Sequence, residues 1–295
     1  MNTKPQPNRY IVAVSGGVDS TALLHMLTRM PHLELIVAHY DHGIRSDSYK
    51  DREHVQQLAK AYGLPFYYES GDLGEGISEE GARNARYAFL RQLKEAQRAR
   101  AIITAHHQDD VLETVVHNLR RGTGRLGLAP MSKSVDIVRP LTGLTKRQLV
   151  EYARQHNLAW REDPTNQSDA YTRNRIRHHV LPKMSPKNRS KLLLYTSRVK
   201  VLNEEIDKLL QEYFAASLAA RGLNRRSFAA LPDNVSREVM AAWLRNQGIR
   251  NFDRKAIERL THAAKTYQTG KRANVNGNVF LVIRPHHLAL DGLER

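Results

Sequence analysis

The run Ser15, Gly16, Gly17, Val18, Asp19, Ser20 carries residue types that, in this order, hold phosphate. Two adjacent glycines let backbone amides approach an oxyanion with no Cβ in the way. The amides that open a following helix add unpaired N–H groups and the positive end of the helix dipole. The Ser15 and Ser20 hydroxyls can donate to the same anion. A Walker loop would close on Lys followed by Ser or Thr; this turn has no Lys, so the cradle is of another kind.

Two further clusters have chemical character. His39, Asp41, His42 and Arg45 end or follow the apolar run 34–40, and His106, His107, Gln108, Asp109, Asp110, Glu113 and Thr114 follow the run 101–105. Asp110 and Glu113 stand i and i+3 on the opening turn of a helix, where they either attract a cation or cap the helix start. A metal centre built from His39, His106, His107 and the aspartates, as in metal-dependent phosphohydrolases, is the competing reading of the same residues. Arg83 and Arg86 share one helical face with Tyr87. Gly122, Gly124 and Gly127 match the spacing of a dinucleotide fingerprint, but they follow a helix and run into Pro130. That stretch therefore reads as a flexible loop flanked by Arg120, Arg121 and Arg125, not as a nicotinamide or flavin site.

Elements must carry these residues. Tyr10 to Val14 is a short β-branched run before the glycine turn, and Thr21 to Met30 is periodic after it, which predicts strand, turn, helix. The near-continuous apolar run 34–40 suits a parallel strand covered on both faces, and its chemistry then falls at a strand's carboxyl end, where open α/β sheets bind ligands. Further strands are predicted over 65–69, 101–105 and 135–141, with helices over 48–62, 79–97 and 145–156 and a helix holding 173–177 that ends near Pro182. Beyond Pro186 the character changes to long helices over 188–220, 237–246 and 254–265. Alternation over 271–290 around Asn276 and Gly277 predicts a closing β hairpin. The expected organisation is an α/β parallel-sheet domain over 1–186 and a smaller, mainly helical domain over 187–295 ending in a β ribbon.

Composition narrows the chemistry. The sequence has no cysteine, which excludes disulfides, thiolate metal sites and iron–sulfur clusters. No stretch reaches the length of a membrane span and the first residues lack a signal-peptide core, so a cytoplasmic protein is expected. The formal charge is +16, and residues 120–200 hold 18 Lys plus Arg against 5 Asp plus Glu, so +13 of it lies there. Such concentration points to a polyanionic partner.

The motif SGGVDS resembles the pyrophosphate loop of the N-type ATP pyrophosphatases. With DHGIR at 41–45, ARNARY at 82–87, AHHQDD and the following LET at 105–114, RGTG at 121–124, EDPTN at 162–166 and RNRIR at 173–177, the chain resembles the tRNA(Ile)-lysidine synthases, in a short form. That resemblance implies adenylation of the C2 oxygen of the wobble cytidine by ATP, followed by attack of the lysine amine and release of AMP. It implies ATP and Mg²⁺ as cofactors, and L-lysine and a tRNA(Ile) with a CAU anticodon as partners.

For the nucleotide, the resemblance implies Ser15, Gly16, Gly17, Val18, Asp19, Ser20, His39 and Arg45, with Mg²⁺ on Asp19. Asp110, Glu113 and Arg83 are implied for lysine, Arg121, Arg125, Arg173 and Arg177 for tRNA, and Asp19, Asp41, His106 and Asp110 nearest the chemistry. Which group takes the proton from lysine, and whether the protein is a monomer or a homodimer, stay open. Thiolating relatives need cysteine, NAD and GMP synthetases leave the basic stretch unexplained, and a non-catalytic RNA-binding module leaves the loop idle.

Overall fold

The computed structural model describes residues 5–43, 47–71, 79–131, 134, 136–162, 172–219, 222–250 and 252–293. By their contacts the residues fall into two units, Met1–Lys200 and Val201–Arg295.

The first unit is built on strands whose successive residues serve opposite faces. In β1 (Asn8–Ala13), Tyr10 and Val12 point into one apolar layer and Ile11 into the other. The same alternation divides Leu35 and Val37 from Ile36 and Ala38 in β2 (Leu33–Asp41). A strand used on both faces must be covered on both. Helices α1 (Val18–Thr28) and α2 (Tyr49–Ala61) supply one layer with Leu23, Leu24, Leu27, Val55 and Ala59. After β3 (Phe66–Ser70), α3 (Glu79–Ala96) supplies the other with Tyr87, Phe89, Leu90 and Leu93.

The chain continues through β4 (Ala101–Ile103), α4 (Gln108–Arg120), the short α5 (Arg125–Leu128), β5 (Ile137–Val138) and α6 (Lys146–Gln155). The five strands form one parallel sheet in the order β3, β2, β1, β4, β5. The order reverses between β1 and β4, whose neighbouring carboxyl ends open the crevice where ligands bind in such sheets. Helix α7 (Thr172–Arg175) runs into one wide turn over Ile176–Val180, and Ile176 and Leu181 pack on Leu112 of α4.

Helix α8 (Pro186–Ser217) starts where the composition changes, and the division between units falls within it. The second unit adds β6 (Leu218–Ala219), β7 (Gly222–Asn224), α9 (Arg225–Ala229), α10 (Asp233–Asn246), α11 (Arg254–Thr266), β8 (Arg272–Asn276), β9 (Val279–Ile283) and β10 (His287–Asp291). The expected hairpin is present as β8 and β9, with Gly277 at φ +46° in its turn. It is the edge of a five-stranded antiparallel sheet, β6, β7, β10, β9, β8, wider than a ribbon. Strands of two and three residues such as β6 and β7 are too short to show alternation.

A second difference lies at the glycine-rich stretch. Residues 125–128, expected as flexible loop, are the helical turn α5, with the Asn118 side chain donating to the Gly127 carbonyl at 2.9 Å. A Cβ on Gly127 would overlap the Thr123 hydroxyl, so the glycine is there for close packing.

Candidate active site

The glycine turn lies between the end of β1 and the start of α1. Gly16 has φ +88°, a conformation that glycine adopts without strain and that a residue with a Cβ would not. Gly17 precedes the first turn of α1 with no side chain capping the helix, which leaves the N-terminal amides facing the crevice. Ser20 turns back to hold the loop: its hydroxyl donates to the Gly17 carbonyl at 3.0 Å, accepts from the Ser15 amide at 3.1 Å, and lies 3.2 Å from the Ser15 hydroxyl. Val18, the first residue of α1, is buried. On the far side of the turn, the Arg161 amide donates to the Gly16 carbonyl at 3.0 Å and its guanidinium to Asp51.

Asp19, in the first turn of α1, faces a lysine that no local pattern connects to it. The Lys146 ammonium lies 2.8 and 2.7 Å from its two oxygens. The His107 ring reaches the same carboxylate at 3.7 Å and Asp110 at 3.6 Å, so one imidazole stands between the cradle and the acidic pair. Burial alone would raise the Asp19 carboxyl, but His107 and Lys146 overcome it and hold it below its usual range. Burial alone would lower His107, but Asp19 and Asp110 raise it above its ordinary value.

Asp110 sits three residues into α4 and caps it, accepting from the His107 amide at 2.8 Å. Its other oxygen faces Arg177 at 3.4 Å. Glu113 is buried, and Arg177 clasps it through Nε at 2.6 Å and a terminal nitrogen at 2.9 Å. The cation that this pair needs is therefore supplied from the wide turn after α7. Asp109, next to them, accepts from the Lys146 amide at 2.7 Å and from Arg189 at 3.1 Å.

His106 points the other way. Its Nδ1 lies 2.8 Å from the Thr104 hydroxyl, and burial together with the charges of Arg139, Arg83, Arg86 and His107 lowers its pKa to about 3. Arg83 and Arg86 stack on the Tyr87 ring at 4.8 and 5.5 Å. Among the described residues none of Arg83, Arg86 and Arg139 is in an ion pair, so the site has a positive side at His106 and a negative side at His107.

The other expected residues are placed as follows. His39 is buried below the turn, its Nδ1 2.9 Å from the Val14 carbonyl, and burial lowers its pKa. Asp41 closes its own turn, accepting from the Gly43 amide at 2.9 Å and the Ser48 hydroxyl at 3.0 Å. Arg45 and most of EDPTN lie outside the described residues. Arg121 is exposed at the end of α4, Arg125 opens α5 and Arg173 lies on α7, while the partly exposed Arg177 pairs with Glu113.

Among the described residues no group of three or more His, Asp and Glu could hold a metal ion by itself. A hard cation bound by a single carboxylate and by substrate phosphates asks for less, and the half-open Asp19 beside the glycine cradle fits that demand. Asp109 lies in the cluster already read after β4, whereas Lys146, Arg139, Arg161 and Arg189 were not legible as site residues, because each reaches the site only through the sheet order or from a distant segment.

A strand, glycine turn and helix at a switch point, with an acidic residue in the helix's first turn, have the form of the loop that marks PP-loop α/β domains. The family model described as the PP-loop domain matches residues 1–184. A tRNA(Ile)-lysidine synthase of Solibacter usitatus is 34% identical over 91% of this chain and 64% of its own length. One of Synechococcus is 34% identical over 87% of this chain and 82% of its own length. The chain belongs to the tRNA(Ile)-lysidine synthase family, and it spans somewhat less than two thirds of the Solibacter relative. Among solved structures, a U34-tRNA thiolase of Methanococcus maripaludis with its [4Fe-4S] cluster aligns with TM-score 0.54 and 17% identity over 66% of this chain and 73% of that one, a likeness of fold alone. This chain has no cysteine to hold such a cluster. Among the described residues no helix is long and apolar enough to cross a membrane.

Proposed function

We propose that the protein joins lysine to the wobble cytidine of a tRNA(Ile) carrying a CAU anticodon, using ATP and releasing pyrophosphate and AMP. The observation that carries this reading is His107 standing between Asp19 and Asp110, which makes the phosphate cradle and the carboxylate pair one site. Gly16, Gly17, Ser15 and Ser20 hold the phosphates through amides and hydroxyls, and Asp19 holds Mg²⁺. Bound Mg²⁺ would offset the charge of the departing pyrophosphate.

A free amino acid carries both charges, and the site has a side for each. Asp110 and Glu113 attract an ammonium, while Arg83, aided by Arg86 and Arg139, holds the α-carboxylate. His106, neutral at physiological pH, contributes a hydrogen-bonding ring without adding to the positive side. The basic stretch 120–200 takes the tRNA backbone, and a tRNA substrate sets the reaction in the cytoplasm.

Purified protein incubated with ATP, labelled lysine and total bacterial tRNA tests the reading. Label is expected in tRNA nucleosides, with pyrophosphate release that depends on tRNA. Release of pyrophosphate without label in tRNA would assign the site to a different adenylation, and no release would overturn the reading altogether.

A further inference from the structure

We propose that Lys146 is the phosphate-reading lysine of this cradle, covering Asp19 when no nucleotide is bound and passing to a phosphate oxygen when one arrives. This rests on the reading that the glycine turn takes the nucleotide phosphates. The turn has no lysine of its own, and the ammonium is delivered by a residue 127 positions further along the chain. A carboxylate beside an anion cradle repels the incoming phosphates unless a cation covers it, and Lys146 does so with both oxygens in reach.

The backbone of Lys146 is fixed and its side chain is not. Thr145 caps α6, its hydroxyl accepting from the Gln148 amide at 3.2 Å while Gln148 Oε1 accepts from the Thr145 amide at 2.9 Å. The Lys146 amide is held by Asp109, and the Leu144 carbonyl by the Gln108 amide at 2.9 Å. The side chain beyond that anchor is 46% exposed. The ammonium end of the pair is therefore solvent-accessible although the Asp19 carboxylate is largely enclosed, so the ammonium can swing to a more highly charged partner once a cation or phosphate arrives beside Asp19. Nor is the pair needed to dock α6 on α1. Buried Leu149 and half-buried Tyr152 pack with Leu24 and Leu27, and the Tyr152 hydroxyl meets His25 at 2.8 Å.

Calorimetric titration of the full chain with a non-hydrolysable ATP analogue and with AMP, each in the presence of Mg²⁺, tests this. Lys146→Met is expected to weaken the triphosphate at least tenfold, about 1.4 kcal/mol, while AMP binding stays within twofold of wild type. Lys146→Arg, which keeps the cation, is expected to lose less than threefold and guards against a folding defect in the first variant. If Lys146→Met bound the analogue within twofold of wild type, Lys146 would be a strut between α1 and α6 and the proposal would fall. Equal losses for AMP and the triphosphate would also overturn it, since a damaged site does not discriminate between them. If the wild-type chain bound no analogue, the nucleotide reading itself would fail and this proposal with it.

Discussion

At the scale of single residues, the two consecutive histidines after β4 show how strongly position sets chemistry. His106 and His107 share a peptide bond, yet the first is lowered to about 3 and the second is raised. His107 is buried and His106 largely enclosed; the difference is that His106 faces Arg139, Arg83 and Arg86, whereas His107 faces Asp19 and Asp110. Because His106 stays neutral in the folded protein down to about pH 3 while the unfolded chain protonates it near 6.5, the unfolded state binds more protons in that window. Stability therefore falls as pH falls through it, by up to about 1.4 kcal/mol per pH unit from this group. Urea unfolding at pH 7, 6 and 5 should show His106→Asn losing less stability on acidification than the wild type. Parallel pH profiles for the two proteins would show that His106 is not held neutral.

At the scale of elements, the opening turn of α4 and the wide turn after α7 act together. Asp110 caps α4, so part of its charge serves the helix, while Glu113 is held by Arg177. For lysine to use this pair, its ammonium must share the carboxylates with Arg177 or displace it. Asp110→Asn and Glu113→Gln are each expected to raise the apparent KM for lysine at least tenfold, with tRNA-dependent pyrophosphate release maintained. Arg177→Ala leaves Glu113 buried without its cation and is expected to cost about 1–3 kcal/mol of stability. Steady-state kinetics in lysine together with thermal unfolding check both. Unchanged lysine dependence in the two carboxylate variants would move the lysine pocket elsewhere.

At the scale of the whole molecule, charge is distributed to suit a polyanion. Of the formal +16, +13 lies in residues 120–200, whereas the acidic groups of the site are enclosed by Lys146, Arg177 and Arg189. Arg121, Arg125 and Arg173 lie on the end of α4, on α5 and on α7, and Ala at each is expected to flatten the salt dependence of tRNA binding by about one unit of log–log slope. Arg177→Ala, whose charge is committed to Glu113, is expected to leave that slope unchanged. Filter-binding isotherms at several salt concentrations decide the point. If the first three variants kept the wild-type slope, the phosphate-binding face would lie outside this stretch.

The sequence alone determined what depends on neighbours along the chain. The glycine turn was legible because its conformation is set by Ser15 to Ser20 themselves, and the strands β1, β2 and β4 because an apolar run buried on two faces has a local signature. The i, i+3 pair Asp110 and Glu113 was legible for the same reason. Tertiary structure alone decided the partners. Hydrophobic runs do not encode the order of strands, and only the placing of β1 beside β4 brings Asp19 to His107. Arg177 meets Glu113 across 64 residues and Lys146 meets Asp19 across 127, separations over which no periodicity carries information. Polarity patterns specify which face of an element is buried; the identity of the charge that meets a carboxylate in the crevice follows only from how the faces are assembled.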